Sequence, residues 1–368
     1  MSRHSAVRSR GTWALAAVAL SISTLLALGP WTVGSGYSSP SDEDLVASVD
    51  QGSIEETIGA LEAFGSREFH LESSRQAAEY LLGAFGDIGV QAEMQYFMVG
   101  DTTVSNVIGT IEGGDEDAGM YLFGAHYDSE NRDVYDLSTA ENITAPGADD
   151  DASGVAAVLE MARILADADF PGTVKFVMFG AEEMGYDNSG GCRGSEYFAA
   201  AETAQGRTYS GTAVLDMIGY RAGEVNKVSL IVNADEQALT ESMRDAAGVF
   251  GIDLEMDLFV RPDATYSDHA SFWAEGIPSM LVIEELDSGM FPVNPMYHTS
   301  YDTLDTLSLG QVVAVTEALL GGLLLLEEGG DDSGWVLVFG AALMAAVIVS
   351  VALFIYVRRR RGRTGDDR

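Results

Sequence analysis

The chain has 368 residues, with 57 Asp or Glu against 20 Lys or Arg, for a formal net charge of −37. So acidic a surface repels phosphate backbones and excludes nucleic acid as a partner. A single cysteine, Cys192, excludes an intrachain disulfide, so stability must come from the core and from any ions it holds.

Arg3, Arg8 and Arg10 precede a 17-residue apolar run at 13–29. This is the layout of a signal peptide or an N-terminal membrane anchor over residues 1–30. Residues 31–50 read as an acidic linker. At the far end, residues 329–334 (GGDDSG) read as a short flexible tether. Residues 335–357 follow without a charge and run into Arg358, Arg359, Arg360 and Arg361. That pattern predicts a transmembrane helix with a basic cytoplasmic tail, 358–368, and places the domain between the ends outside the cell membrane. Nine of the 20 basic residues lie in the two ends, and only Lys175 and Lys227 are lysines. We therefore expect a source adapted to very high salt, where screening over about 3 Å at 1 M removes the self-repulsion of the carboxylates. One sequon, Asn142-Ile143-Thr144, falls in a loop and is a candidate glycosylation site.

Between the ends, residues 54–64 and 77–85 have helical spacing, and 91–97 and 105–111 alternate like strands. Short apolar runs follow at 119–125, 173–179, 212–215, 228–232 and 278–283, and read as strands buried on both faces. Helical patterns at 154–165, 236–250 and 270–275 separate them, the last behind the N-cap types Ser267 and Asp268. Such alternation predicts one α/β domain over 51–328, a mixed and mostly parallel sheet with helices on both faces. Sites in such sheets gather at the carboxyl ends of the strands.

Ionisable residues stand at those ends. His126 and Asp128 close the run at 119–125, and an acceptor two residues on can hold the second nitrogen of a metal-binding histidine. Taken alone, H-x-D fits a structural histidine better. Asp149, Asp150 and Asp151 precede the helix at 154–165, more negative charge than an N-cap requires, and a cation explains them more simply. Glu182 and Glu183 leave the strand at 173–179 in different directions, so one can bind metal while its neighbour acts as a base. Asp216 ends another apolar run, where an unpartnered carboxylate would cost several kcal/mol. Of the five histidines, His126 and His298 are the best placed as imidazole ligands.

The elements AHYDS, PGADDDASG, GAEEMG, LDMIG, YSDHASFW and YHTSYDT, in this order, resemble the M28 zinc aminopeptidases of the bacterial leucyl aminopeptidase type. The resemblance runs over residues 50–325 and implies a three-layer αβα sandwich holding two Zn2+ and acting on peptides. It implies that Asp150 bridges the metals, with Glu183 and His298 completing one shell and His126 and Asp216 the other. Glu182 would be the general base, Asp128 would orient His126, and Tyr266 would polarise the scissile carbonyl. One departure stands out. Secreted members carry a cysteine pair near the tyrosine that matches Tyr266, and this chain has Pro262-Asp263-Ala264-Thr265 there, so the resemblance does not by itself establish how rigid that loop is, or a preference for leucine. The fold also hosts one-zinc glutaminyl cyclases and receptors without catalysis, and the complete acid and histidine set argues against both. A carboxypeptidase would need a basic pocket, and no Arg cluster near the motifs provides one, Arg193 and Arg261 being the candidates.

Overall fold

The computed structural model describes residues 40–115, 118–132, 144–185, 189–233, 238–289 and 291–330. The expected N-terminal segment, the expected membrane span at 335–357, the basic tail and Asn142 of the sequon lie outside these residues.

The short apolar runs pair into one sheet. Its strands are β1 (Gln91–Val99), β2 (Thr102–Ile111), β3 (Met120–His126), β4 (Thr173–Phe179), β5 (Gly211–Asp216), β6 (Lys227–Val232), β7 (Glu255–Val260) and β8 (Met280–Glu284). They lie in the order β1-β2-β4-β3-β5-β8-β6-β7. Strands β4, β3, β5 and β8 run parallel through the middle. Strand β2 is antiparallel to both β1 and β4, and β6 is antiparallel to β8 with β7 parallel beside it. The four central strands therefore deliver their carboxyl ends to one edge.

Side chains alternate between the faces of a strand. In β3 and β4, Tyr121, Phe123, Ala125, Val174, Phe176 and Met178 pack to one side, and Leu122, Val177 and Phe179 to the other. The first side is covered by α1 (Asp42–Val46), α2 (Gln51–Glu62), α3 (Glu72–Asp87), α4 (Gly154–Ala166), α6 (Ala238–Val249) and α8 (Leu309–Gly330). The second is covered by α5 (Arg193–Ala204) and α7 (His269–Ala274), through Phe198 and Phe272. This is the three-layer sandwich expected. Gly124 lets the layers close, because a Cβ there would stand 2.5 Å from the Phe179 ring.

Three details differ from the sequence reading. The expected acidic linker contains α1, whose Ser41 forms a capping box with Asp44 and whose Val46 is buried in the core, so the folded unit starts earlier than residue 51. Helix α8 was not anticipated, and it runs through Gly329 and Gly330 of the expected tether. It is long and apolar enough to cross a bilayer. However, Val312, Val315, Ala318, Leu319, Leu320 and Leu323 are buried, and it packs on α6, α4 and α2 as a core helix. Finally, Asp268 stands at the N-cap of α7 but makes no cap hydrogen bond, and its carboxylate is buried near His126 instead.

Both lysines are ion-paired. Lys175 Nζ lies 2.8 Å from Glu202 in a buried pair, and Lys227 Nζ lies 3.0 Å from both Asp257 and Glu285.

Candidate active site

The ends of β3, β4 and β5 and two loops bring the expected residues together. His126 Nε2 lies 3.1 Å from Asp150 Oδ1 and 3.7 Å from Asp216 Oδ1. Across the same carboxylate, His298 Nε2 lies 3.1 Å from Asp150 Oδ2 and 3.0 Å from Glu183 Oε1. Two groups of candidate ligand atoms result, His126 with Asp150 and Asp216, and Glu183 with His298 and Glu130, the atoms within each group lying within 4.8 Å of one another. Glu130 was missed from the sequence, where its only signal is its place two residues beyond Asp128 at the same strand exit.

The donor set fits divalent metal. Asp150 Oδ2 and Asp216 Oδ1 are buried and accept no hydrogen bond among the described residues, a costly state for a carboxylate unless a cation compensates. Burial opposes ionisation of Asp150, but the imidazoles of His126 and His298 beside it outweigh burial and hold this carboxyl well below the usual range. Burial also acts on His298, yet Glu183 and Asp150 push it up to about 11. Glu183 is pushed up to about 7 by burial, with His298 opposing. Imidazole nitrogen with carboxylate oxygen is a zinc donor set.

Only the middle one of the three consecutive aspartates enters these groups. Asp149 accepts from the backbone N–H groups of Gly219 and Tyr220 at 2.7 and 3.1 Å and from Asn294 Nδ2 at 2.8 Å. Asp151 accepts from the N–H groups of His126, Gly154 and Met217. The flanking carboxylates therefore pin the loop to β3 and β5, which corrects the view that all three serve a cation. Asp302 completes the cradle, its two oxygens accepting from Asp149 N at 2.8 Å and Asp150 N at 3.1 Å.

Arg67, also unforeseen, is fully buried and donates to the carbonyls of Leu61, Tyr127, Pro146 and Gly147. Burial lowers its pKa to about 10, with Asp302 and Asp128 opposing, so it stays cationic under the acid cluster. Gly147, at φ 54°, allows this approach; a Cβ there would meet Asp150 O at 2.4 Å and Arg67 Nη2 at 2.9 Å.

Asp128 serves three partners. Its main-chain oxygen lies 3.2 Å from His126 Nδ1, while its carboxylate, 3.7 Å from that nitrogen, accepts the N–H groups of Glu182 and Glu183 at 3.2 and 3.1 Å. Glu182 is thereby held over the cavity, its pKa raised well above the usual range by burial, with His126 opposing. Cys192 Sγ stands 3.5 Å from Glu182 Oε1. Among the described residues, four of the five non-glycine positions with positive φ lie here, Ala181, Cys192, Met217 and His298, a concentration of backbone strain that functional sites tolerate.

Asp150, Glu182, Glu183, Cys192, Asp216 and His298 line a cavity of about 950 Å3, together with Met217, Ile283, Leu286 and Phe291 on an apolar wall and with Tyr266. Residues 106–322 match peptidase family M28. The chain belongs to that family. The curated relatives of this M28 peptidase include Leucine aminopeptidase 1 of Uncinocarpus reesii, 30% identical over 295 residues, 74% of this chain and 69% of that protein. Among solved structures, the LapA aminopeptidase of Legionella pneumophila superposes with a TM-score of 0.65 at 20% identity, covering 82% and 79% of the two chains. Porphyromonas gingivalis glutaminyl cyclase gives 0.59 at 22% identity, covering 75% and 98%. This likeness is one of fold. Membership in M28 makes the chain a zinc-dependent peptidase.

In this M28 chain the loop that bears Tyr266 has a non-covalent brace. Arg261 forms a bidentate pair with Asp263 at 3.0 Å for both contacts, and its own N–H donates to Val232 O at 2.8 Å. His269, buried and held near a pKa of about 4 by desolvation, donates through Nε2 to Ala264 O at 2.8 Å. Its ring meets Trp273 edge-on at 4.5 Å and Tyr266 at 6.0 Å. Of the basic residues considered for a carboxylate pocket, Arg261 is spent on this brace and Arg193 pairs with exposed Glu196.

Proposed function

We propose that this chain is a two-zinc aminopeptidase that removes the N-terminal residue of peptides. The observation that carries the reading is the split of the Asp150 carboxylate, one oxygen towards His126 and Asp216 and the other towards His298 and Glu183. His126, Asp150 and Asp216 would hold one zinc, and Asp150, Glu183 and His298 the second. When bound, the pair supplies Lewis acidity at the scissile carbonyl and acidifies the attacking water.

Glu182 takes the proton of that water and returns it to the leaving amine, a role suited to a carboxyl with a raised pKa. Asp128 fixes the tautomer of His126 and the position of Glu182 together. Tyr266, kept protonated up to about 12 by burial, donates to the carbonyl oxygen as negative charge grows there. The carboxylates of the cavity attract the α-ammonium group of the substrate, and the wall of Met217, Ile283, Leu286 and Phe291 receives an apolar first side chain. This accords with the name of the leucine aminopeptidase relative.

We further propose that the domain works outside the cell in concentrated salt, anchored through residues 335–357. The charge balance and the scarcity of lysine support the salt requirement, and the uncharged run before Arg358 supports the anchor.

The test uses the purified chain loaded with zinc in molar salt. It should release amino acids from aminoacyl-arylamides, bind two zincs and lose activity to a chelator. Glu182→Gln should lower kcat by about 10²–10⁴-fold while retaining both metals. Undiminished turnover in this variant, or one zinc per active chain, would remove the assignment.

A further inference from the structure

The cavity gathers the carboxylates of Asp150, Glu182, Glu183, Glu196, Asp216 and Glu275, yet among the described residues one Lys or Arg side chain also lines it, Arg132. Nothing in the proposed hydrolysis calls for that cation. Its position is nonetheless fixed twice. The Arg132 N–H donates to His298 O at 3.0 Å, which sets the residue at the rim of the Glu183–His298 group. Its Nε–H donates to Glu130, a carboxylate whose side chain is 8% exposed and which also accepts Gly185 N–H at 2.7 Å.

Among the described residues the two Nη groups make no hydrogen bond, and the side chain is 53% exposed. A guanidinium held by Nε leaves its Nη donors for a ligand, and two donors in a plane match a carboxylate. A zwitterionic short peptide therefore meets complementary charge at both ends, its ammonium among the acids and its carboxylate at Arg132.

We infer that Arg132 binds the C-terminal carboxylate of short substrates, so that the enzyme favours di- and tripeptides with a free carboxylate. This rests on the aminopeptidase reading above and adds the substrate class. In a long peptide the terminal carboxylate lies far from the first bond, and the contact is lost. Partial exposure keeps the contribution moderate.

The experiment measures kcat/KM for a dipeptide and for the same dipeptide as its C-terminal amide, in wild type, Arg132→Gln and Arg132→Lys. In wild type the free acid should be favoured by about tenfold, as for one charge-assisted pair at a partly wet site. The ratio should fall towards one in Arg132→Gln, mainly through KM, and lie between the two in Arg132→Lys, which keeps the charge and loses the fork. Because the ratio is taken within each enzyme, a general loss of folding or turnover cancels. Should Arg132→Gln not fold, Arg132→Lys gives the same reading through a reduced ratio.

Equal rates for acid and amide in wild type, or a preference that survives both substitutions, would overturn the inference while leaving the aminopeptidase intact. Wild type that ignores aminoacyl-arylamides, or cleaves an N-acetylated dipeptide, would overturn the aminopeptidase reading itself.

Discussion

The floor of the cavity and its wall are built in opposite ways. On the floor, the acidic residues stand at the ends of central strands or on loops stapled to them by buried backbone amides, as Asp149, Asp151, Asp128 and Asp302 show. On the wall, Tyr266 rides on an irregular loop held by an exposed Arg261–Asp263 pair and one imidazole hydrogen bond. Groups that must sit to within fractions of an ångström are fixed by the sheet, and groups that meet the substrate hang on adjustable loops.

The largest effect should come from breaking the floor from below. Arg67→Met leaves four carbonyls without their donor, and about 3–4 kcal/mol of stability should be lost, read as a fall in Tm with and without zinc. An unchanged Tm would mean that the cradle stands without its guanidinium.

Metal retention should report the same floor through pH. In the metal-free protein Glu183 is protonated below about 7 and His298 below about 11. Zinc displaces one of these protons between those values and both below the lower one. Affinity should therefore fall as pH drops, by about tenfold per unit for each displaced proton, with a steeper slope below pH 7. Competition with a chelating dye measures it, and a flat profile would contradict the assignment of His298 as a ligand.

The wall should give the smallest effect. Arg261→Ala should lower kcat by less than about tenfold, a loss on the scale of an exposed ion pair, with zinc content unchanged. In a Tyr266→Phe background it should add nothing, because it acts through the position of that hydroxyl. Additive losses in the double variant would show that the loop does more than carry Tyr266.

The strands and their terminal acids were legible in the sequence because burial writes apolar runs locally, and His126, Asp150, Glu183, Asp216 and His298 all stand next to such runs or loops. What could not be read was long-range. Arg67 lies in a polar stretch, and its four carbonyl partners come from three separate segments. Asp149 and Asp151 looked equivalent to Asp150, since only tertiary contacts tell a staple from a ligand. Helix α8 combines a nearly uniform apolar surface with a place in the core, and composition alone cannot separate that from a membrane span.

Asp302 has a consequence for the order of events during synthesis. The amides of Asp149 and Asp150 wait for an acceptor made about 150 residues later. A nascent chain that has emerged as far as β5 already contains His126, Asp150, Glu183 and Asp216, but neither His298 nor the group that locks the loop. The loop that carries Asp150 is therefore locked only after the last strand of the sheet, Met280–Glu284, has been made, and a chain stopped before that point lacks both His298 and the Asp302 acceptor.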